Sequence, residues 1–276
     1  MSRVRVALRL GGSLLCAGGI VACSSTTTTT TTTVMPVSDV AKDRITASDQ
    51  SEASRRANVR LQLASAYFGD GQLTTALDEV KQAIAADPKM SEAFNLRGLI
   101  YAGLGDAVLA EESFKRALQL APRDADVMQN YGWFLCIQKR YPEATTQFEQ
   151  ALAQPLNRDI TRTLLAQGVC EARAGQLPEA ERTLLRAYAL DAANPAIALN
   201  LSEVLFQRGE YERARFYIRR VNASPQQSTA QTLWLAARIE FRGGNVQVAN
   251  EIGQQLLSRY PKSPEASAFQ QGRFNE

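Results

Sequence analysis

The 276-residue sequence contains no histidine. Histidine is the commonest general base and metal ligand, and it activates the nucleophile of serine and cysteine hydrolases. Its absence excludes those mechanisms and leaves paired carboxylates as the remaining route to hydrolysis. The densest acidic sites are Glu111 with Glu112, and Glu179 with Glu181. Both fall on predicted helices, where charged side chains are usually solvated, so we predict a non-enzymatic protein without a metal or cofactor.

An excess of either charge is also missing, since 31 Lys and Arg residues nearly balance 28 Asp and Glu residues. The formal net charge is +3, and no long block of Lys and Arg occurs. Nucleic-acid backbones are bound by clustered cations. We therefore predict no nucleic-acid partner, and we likewise predict no small-molecule substrate.

The sequence has no hydrophobic run long enough to span a membrane. Arg3, Arg5 and Arg9 are followed by apolar or small residues from Leu10 to Ala22. A spanning helix needs about 20 apolar residues, whereas a shorter run after a basic start is typical of a secretory signal peptide. We assign residues 1–22 to such a signal peptide.

The last three residues of this region and the cysteine that follows, Ile20-Val21-Ala22-Cys23, resemble the bacterial lipobox. The resemblance implies that diacylglycerol is attached to the Cys23 sulfur, that the chain is cut before Cys23, and that the new amino group is acylated. Several acyl chains anchor a protein firmly, whereas one chain binds only marginally. The alternative is an ordinary signal peptide with a chance cysteine. Ser24 replaces the aspartate of inner-membrane lipoproteins, which implies lipid anchoring on the periplasmic face of the outer membrane.

Residues 23–55 lack the apolar side chains of a core. Two serines and eight threonines follow Cys23, and the segment stays polar to about Arg55. This composition is typical of a disordered tether. Roughly 30 extended residues reach about 100 Å, and a random coil of that length spans nearer 30 Å. We predict that the tether holds a folded domain of residues 56–276 away from the membrane.

The rest of the chain repeats with a period near 34 residues. Alanines recur at intervals of 34, 34, 36, 34 and 35 residues. Five of these six alanines follow a glycine by five residues, and Lys139 replaces that glycine in the third unit. A fixed period of this length indicates stacked helical hairpins. The six alanines are Ala76, Ala110, Ala144, Ala180, Ala214 and Ala249.

Each unit resembles the tetratricopeptide repeat, a helix-turn-helix whose landmarks alternate small and large side chains. Glu171 and Glu240 occupy landmark position 11 of units four and six, where an aromatic residue is typical, so those repeats are degenerate. The second unit matches at every landmark, with Phe94, Gly98, Tyr101, Ala110, Phe114, Ala117 and Pro122. The resemblance implies an all-α, right-handed superhelix (solenoid) of six repeats near residues 57–90, 91–124, 125–158, 161–194, 195–228 and 230–263.

In this family the first helix of each repeat lines a concave groove that binds extended or helical peptides. Both tryptophans of the chain fall on groove positions, and tryptophan is enriched in binding hot spots. The alternative is that Trp133 and Trp234 only fill space between repeats. Only Arg238 suits a two-carboxylate clamp, so we disfavour a chaperone-tail ligand. The predicted groove residues are Asn58, Leu61, Phe68, Asn95, Leu99, Gln129, Trp133, Leu199, Phe206, Trp234 and Phe241.

Cys136 and Cys170 are separated by 34 residues and fall on the first helices of adjacent repeats. The periplasm permits disulfides, so the two residues are predicted to bond and to join repeats three and four. Two buried free thiols and a redox pair are the alternatives. Cys16 is lost with the signal peptide.

The lipobox, the tether and the six repeats together resemble the type IV pilus biogenesis and stability lipoproteins, the PilF/PilW pilotin family. The segments Leu-Arg-Gly-Leu-Ile-Tyr at 96–101 and Asn-Tyr-Gly-Trp-Phe-Leu-Cys at 130–136 carry this resemblance. It implies a scaffold that binds the pilus secretin subunit and promotes its localisation and multimerisation, supporting pilus biogenesis and twitching motility. The alternative is a repeat lipoprotein of β-barrel assembly or of peptidoglycan synthesis.

Overall fold

The computed structural model describes residues 51–274, and these residues form thirteen α-helices and no strand. The predicted signal peptide, Cys23 and the tether up to residue 50 lie outside the described residues. The predicted all-α solenoid of helical hairpins is confirmed. Each repeat consists of a first helix, called helix A, and a second helix, called helix B. The successive pairs of helices A and B are α1 (Glu52–Gly69) and α2 (Leu73–Ala86), α3 (Ser91–Leu104) and α4 (Ala107–Leu120), α5 (Ala125–Ile137) and α6 (Tyr141–Leu152), α7 (Ile160–Arg173) and α8 (Leu177–Leu190), α9 (Pro195–Gln207) and α10 (Tyr211–Asn222), and α11 (Ala230–Arg242) and α12 (Val246–Arg259), followed by α13 (Pro264–Gln270).

The first helix begins at Glu52, four residues before the predicted start of the repeat domain at residue 56. The backbone N–H of Ser54 donates to Oγ of Ser51 over 3.1 Å. This bond satisfies one of the amides that a helix leaves unpaired at its start. Residues 52–55 are therefore helical and not part of the tether, because polar side chains suit an exposed first turn as well as they suit a tether.

Small residues let the two helices of a repeat approach closely. A Cβ added to Gly98 on α3 would lie 2.8 Å from Cε1 of Phe114 on α4. Phe114 is fully buried, and its ring lies 5.6 Å from Tyr131 and 5.5 Å from Phe134, between ring centroids. Since Tyr131 and Phe134 belong to α5, one phenylalanine closes its own repeat and covers the next one.

Helices A lie closer to one another along the array than helices B do. Each helix A contacts the helix A of the following repeat, and no comparable contact joins successive helices B within residues 51–274. The array therefore curves with its A helices on the inside. This inner face is lined by α1, α3, α5, α7, α9 and α11.

The C-terminal end of the array is closed by α13 and the residues after it. A Cβ added to Gly253 on α12 would overlap the ring of Phe269 on α13, at 2.0 Å from Cε2. Phe274 is buried against Ala237 and Ala249. These contacts cover apolar surface that a further repeat would otherwise cover, as terminal caps do in repeat proteins.

The turn between helices A and B requires a left-handed backbone. The turn residues Gly71, Gly105, Gly175, Gly209 and Gly244 have φ between 74° and 85°. In the third repeat the equivalent residue is Lys139, with φ of 60°. A residue with a Cβ adopts this conformation at a cost of about 1–2 kcal/mol.

Replacing Lys139 with glycine is expected to raise the free energy of unfolding by about 0.5–1 kcal/mol. Glycine removes the left-handed strain, and its greater freedom in the unfolded chain offsets part of the gain. Urea denaturation followed by circular dichroism measures the change. Gly209→Ala is the matched control and should destabilise the protein, whereas a lower midpoint for Lys139→Gly would contradict the prediction.

Candidate functional site

The candidate site is the inner face of the array, and the eleven residues predicted to line a groove all lie on A helices. Nine of them are half-buried, whereas Gln129 and Phe206 are buried. Leu61 and Phe68 pack against the core of the first two repeats. Phe206 belongs to the core around repeats four to six, and Leu199 packs against that core. Their location is as expected, and their role in binding stays a prediction.

The middle of the inner face is apolar and aromatic. Leu99 and Trp133 are half-buried against the core of repeats two and three. Ile137, one turn beyond Trp133, is 51% exposed. The guanidinium carbon of Arg173 on α7 lies 4.9 Å from the centroid of the Trp133 ring. Trp133 thus fills space between repeats and also contributes to the surface, so the two interpretations of this residue are compatible.

Polar side chains link the A helices of repeats two, three and four. Nδ2 of Asn130 donates to Oδ1 of Asn95 over 3.3 Å, and a terminal nitrogen of Arg162 donates to Oδ1 of Asn130 over 2.9 Å. Hydrogen bonds of this kind depend on direction as well as distance. They favour one register of α3, α5 and α7 along the inner face.

A disulfide joins Cys136 on α5 to Cys170 on α7, with the two Cα atoms 5.8 Å apart. Both cysteines are buried. The bond connects the A helices of repeats three and four beside Trp133 and Arg173. It therefore holds together the part of the inner face that includes Trp133 and the exposed Ile137.

The far end of the inner face is covered by the C-terminal segment. The ring of Phe274 stacks on Phe241 with centroids 4.2 Å apart, and it lies 5.2 Å from Trp234. The repeat pattern does not predict this contact. Part of the surface of Trp234 and Phe241 is thus used by the cap, which favours a structural role for them.

Two of the glutamates considered for catalysis, Glu111 and Glu181, form ion pairs between consecutive repeats. Glu111 on α4 accepts from Arg140 at 2.7 Å, from Lys115 at 2.8 Å and from the Tyr131 hydroxyl at 3.0 Å. The hydrogen bond from Arg140 is the main cause that lowers the pKa of Glu111 to about 2. Glu111 is therefore ionised and paired at neutral pH, which suits a structural role better than proton transfer.

Glu181 on α8 has a similar position in the fourth repeat. It pairs with Arg208 and with Arg213, both from the fifth repeat. Glu179 pairs with Arg182 on the exposed face of the same helix, at 3.0 Å. These carboxylates are thus tied to cations that belong to the stack.

The two glutamates at the aromatic landmark position are each accommodated by polar neighbours. Glu240 on α11 accepts from Nε of Arg215 and from Arg219, each at 2.9 Å. Glu171 on α7 accepts from Nε2 of Gln167 at 2.9 Å, and burial raises its pKa. Repeats four and six therefore replace aromatic contacts with hydrogen bonds and ion pairs.

Within residues 51–274, no three His, Cys, Asp or Glu side chains are placed to hold a metal ion. The same part of the chain includes no helix with the length and hydropathy needed to cross a membrane.

Comparison with known proteins agrees with this architecture. Family models described as tetratricopeptide repeats match residues 61–125 and 138–195, residues 171–239, and residues 231–263. The crystal structure of PilW, a widely conserved type IV pilus biogenesis factor, is 31% identical, superposes with a TM-score of 0.73, and is matched over 77% of this chain and 97% of PilW. This chain belongs to the PilF/PilW family of type IV pilus biogenesis proteins.

Two comparisons with PilF of Pseudomonas aeruginosa extend this result. The type IV pilus assembly protein PilF is 28% identical over 210 residues, which cover 76% of this chain and 83% of PilF. A solved structure of P. aeruginosa PilF has a TM-score of 0.69 and 26% identity, and it is matched over 80% of this chain and its own whole length. The likeness therefore covers the repeat array as a whole.

In this PilF/PilW family member, the sequence pattern missed two features of the inner face. It did not identify Arg173 as the partner of Trp133, because their contact joins position 9 of one repeat to position 13 of the next. It also missed Phe274, which lies beyond the last repeat. The period assigned the predicted groove residues to the first helices of the repeats, but it carried no information on which side chains touch.

Replacing Glu111 with glutamine is expected to lower the free energy of unfolding by about 2 kcal/mol at pH 7. The folded-state pKa of Glu111 is about 2, below the ordinary 4.5, so its carboxylate stabilises the fold above pH 4.5 and loses that effect as the pH falls towards 2. The difference between wild type and Glu111→Gln should shrink over this range. Urea denaturation at several pH values measures it, and the exposed neighbour Glu112→Gln should show no comparable loss.

Replacing both Cys136 and Cys170 with alanine is expected to lower the free energy of unfolding by roughly 3–4 kcal/mol. The disulfide spans 34 residues of sequence, and removing a cross-link of this length frees the unfolded chain. Thermal unfolding of the oxidised protein, the reduced protein and the double variant tests this. The reduced protein should resemble the double variant, and equal stability of all three would refute the prediction.

Proposed function

We propose that this protein is a lipid-anchored outer-membrane scaffold that binds the type IV pilus secretin subunit. Binding by the inner face promotes localisation and multimerisation of the secretin, and thereby supports pilus biogenesis and twitching motility. The observation that carries the proposal is the match to PilW along 97% of its length, at 31% identity. No enzymatic step is part of the proposal.

The chemistry of the inner face supports a protein ligand. Leu99, Trp133 and Ile137 form an apolar surface on α3 and α5, with Ile137 51% exposed. Tryptophan is among the residues that contribute most to protein interfaces. The disulfide and the Asn95–Asn130–Arg162 hydrogen bonds keep this surface in one shape, and a preorganised surface loses less entropy when it binds.

The sequence around Cys23 supports the anchor. In this proposal the lipobox directs lipid to Cys23, and the sequence from Ser24 to Ser51 connects that cysteine to α1. A tether of this length lets the inner face reach a secretin subunit that approaches the same membrane.

Trp133→Ala is expected to reduce detergent-resistant secretin multimers and surface piliation by at least fivefold when it replaces the wild type in the source bacterium. Removal of a hot-spot tryptophan typically costs about 2 kcal/mol or more of binding free energy. Immunoblots of secretin multimers and electron microscopy of pili give the two readouts. Co-purification of the secretin with each variant shows whether the loss occurs at the binding step.

Phe216→Ala is the matched control, because Phe216 is an aromatic residue on α10, outside the inner face, and is 55% exposed. It should leave secretin multimers unchanged.

Cys23→Ser should release the protein from the membrane fraction while leaving its affinity for the purified secretin intact. Unchanged secretin multimers and piliation after deletion of the whole gene would refute the proposal, and co-purification of β-barrel assembly or peptidoglycan enzymes would favour the alternative scaffolds.

A further inference from the structure

Three arginines at the contacts between repeats are neutralised by glutamates of a neighbouring repeat. Arg140 pairs with Glu111, Arg208 pairs with Glu181, and Arg215 pairs with Glu240. In each of these pairs, an arginine that lies between two repeats is neutralised by a glutamate of the neighbouring repeat. Two arginines of the inner face do not follow this pattern.

Arg173 on α7 is the first of these arginines. It is exposed, its guanidinium lies over Trp133, and no hydrogen bond or ion pair joins it to another residue of the described part of the chain. It borders a hollow between α7 and α9 whose lining includes Val169, Ala172 and Asn200. When the face of a guanidinium stacks on an aromatic ring, the N–H groups at its edge remain available to donate hydrogen bonds.

Arg238 on α11 repeats this arrangement two repeats further on. Its guanidinium carbon lies 4.6 Å from the centroid of the Phe206 ring on α9. It is half-buried, and its Nε is buried without a hydrogen-bond partner among residues 51–274. The terminal nitrogens of this guanidinium are neither enclosed in this way nor hydrogen-bonded to another residue of this part of the chain, so they can donate to an acceptor that a ligand supplies.

Both arginines are held in place before any ligand arrives. Stacking restricts each guanidinium to one region of the inner face, so little side-chain entropy is left to lose on binding. Carboxylates are the acceptors that match the planar donor fork of arginine, and such charge-assisted hydrogen bonds are among the strongest in proteins.

We propose that the inner face of repeats four to six binds an extended peptide whose two carboxylate side chains contact Arg173 and Arg238. The identity of the partner rests on the proposed function, whereas the chemistry of the ligand does not depend on it. Contacting helices lie about 10 Å apart, so α7 and α11 place the two cations roughly 20 Å apart. An extended chain advances about 3.4 Å per residue, which spaces the two acidic residues about six positions apart.

Glu203 sharpens this pattern, because it lies on α9 between the two arginines and borders the same hollow as Arg173. A carboxylate of the ligand opposite Glu203 would be repelled. The residues midway between the two acidic positions are therefore polar or basic. The predicted motif is acidic, then neutral or basic, then acidic again.

The test is selection of binders from a random 12-residue peptide library displayed on phage, against the purified mature protein. Enriched peptides are then synthesised, and their affinities for wild type and variants are measured by calorimetry at low and at physiological salt. Arg173→Gln and Arg238→Gln should each weaken binding about tenfold, as expected for loss of a charge-assisted hydrogen bond. The double variant should also lose most of the salt dependence.

Matched variants separate ligand contact from an indirect structural effect. Arg186→Gln, an exposed arginine on α8 outside the inner face, should leave affinity unchanged. Arg173→Lys keeps the charge and should recover part of the affinity. Glu203→Gln should strengthen binding of peptides that carry no basic residue between their acidic positions. Circular dichroism verifies that each variant remains folded.

The inference is overturned if enriched peptides lack paired acidic residues, or if the arginine variants bind them as wild type does. The inference is also overturned if no enriched peptide binds wild type more tightly than the double variant. The selection contains no secretin, so it fails independently of the proposed function. If acidic peptides bind as predicted but the purified secretin does not bind, the result counts against the proposed function alone.

Discussion

The contact between one hairpin and the next is the interaction on which this protein depends. Phe114 illustrates it, because its ring fills the space left by Gly98 in its own repeat and lies against Tyr131 and Phe134 of the following repeat. A single hairpin cannot bury such a side chain, so its apolar flank is stable only within the stack. The order of the helices and the curvature of the array follow from repeating this contact.

Directional bonds supplement apolar burial where the repeat pattern is weakest. Glu240 stands where an aromatic residue is typical, and it is accommodated because α10 supplies Arg215 and Arg219. Burial of a charge is tolerated only when such partners are present. A degenerate repeat in this chain is therefore a repeat that uses a different type of contact, and it still stacks in the same way.

The same stacking creates the inner face and gives it its chemistry. Close A helices bring side chains of different repeats together, so that Trp133 meets Arg173 and Phe206 meets Arg238. The disulfide between Cys136 and Cys170 joins two of these helices at the same place. A surface with aromatic residues, cations and a covalent brace is well suited to holding a partner protein, which is consistent with a scaffold of the PilF/PilW family.

The sequence by itself determined the helical period, the number of hairpins and the residues that fall on the first helix of each hairpin, because small and large side chains must recur in step for the hairpins to nest. It also identified Lys139 as the exceptional turn residue and Cys136 and Cys170 as neighbours one repeat apart. Only the tertiary structure decided that Phe274 covers Trp234 and Phe241, and that Glu111 and Glu181 pair with arginines of the next repeat. It also decided that Arg173 and Arg238 have no carboxylate partner among residues 51–274. A period records which face of a helix is covered, whereas these pairings depend on distances between side chains of different repeats.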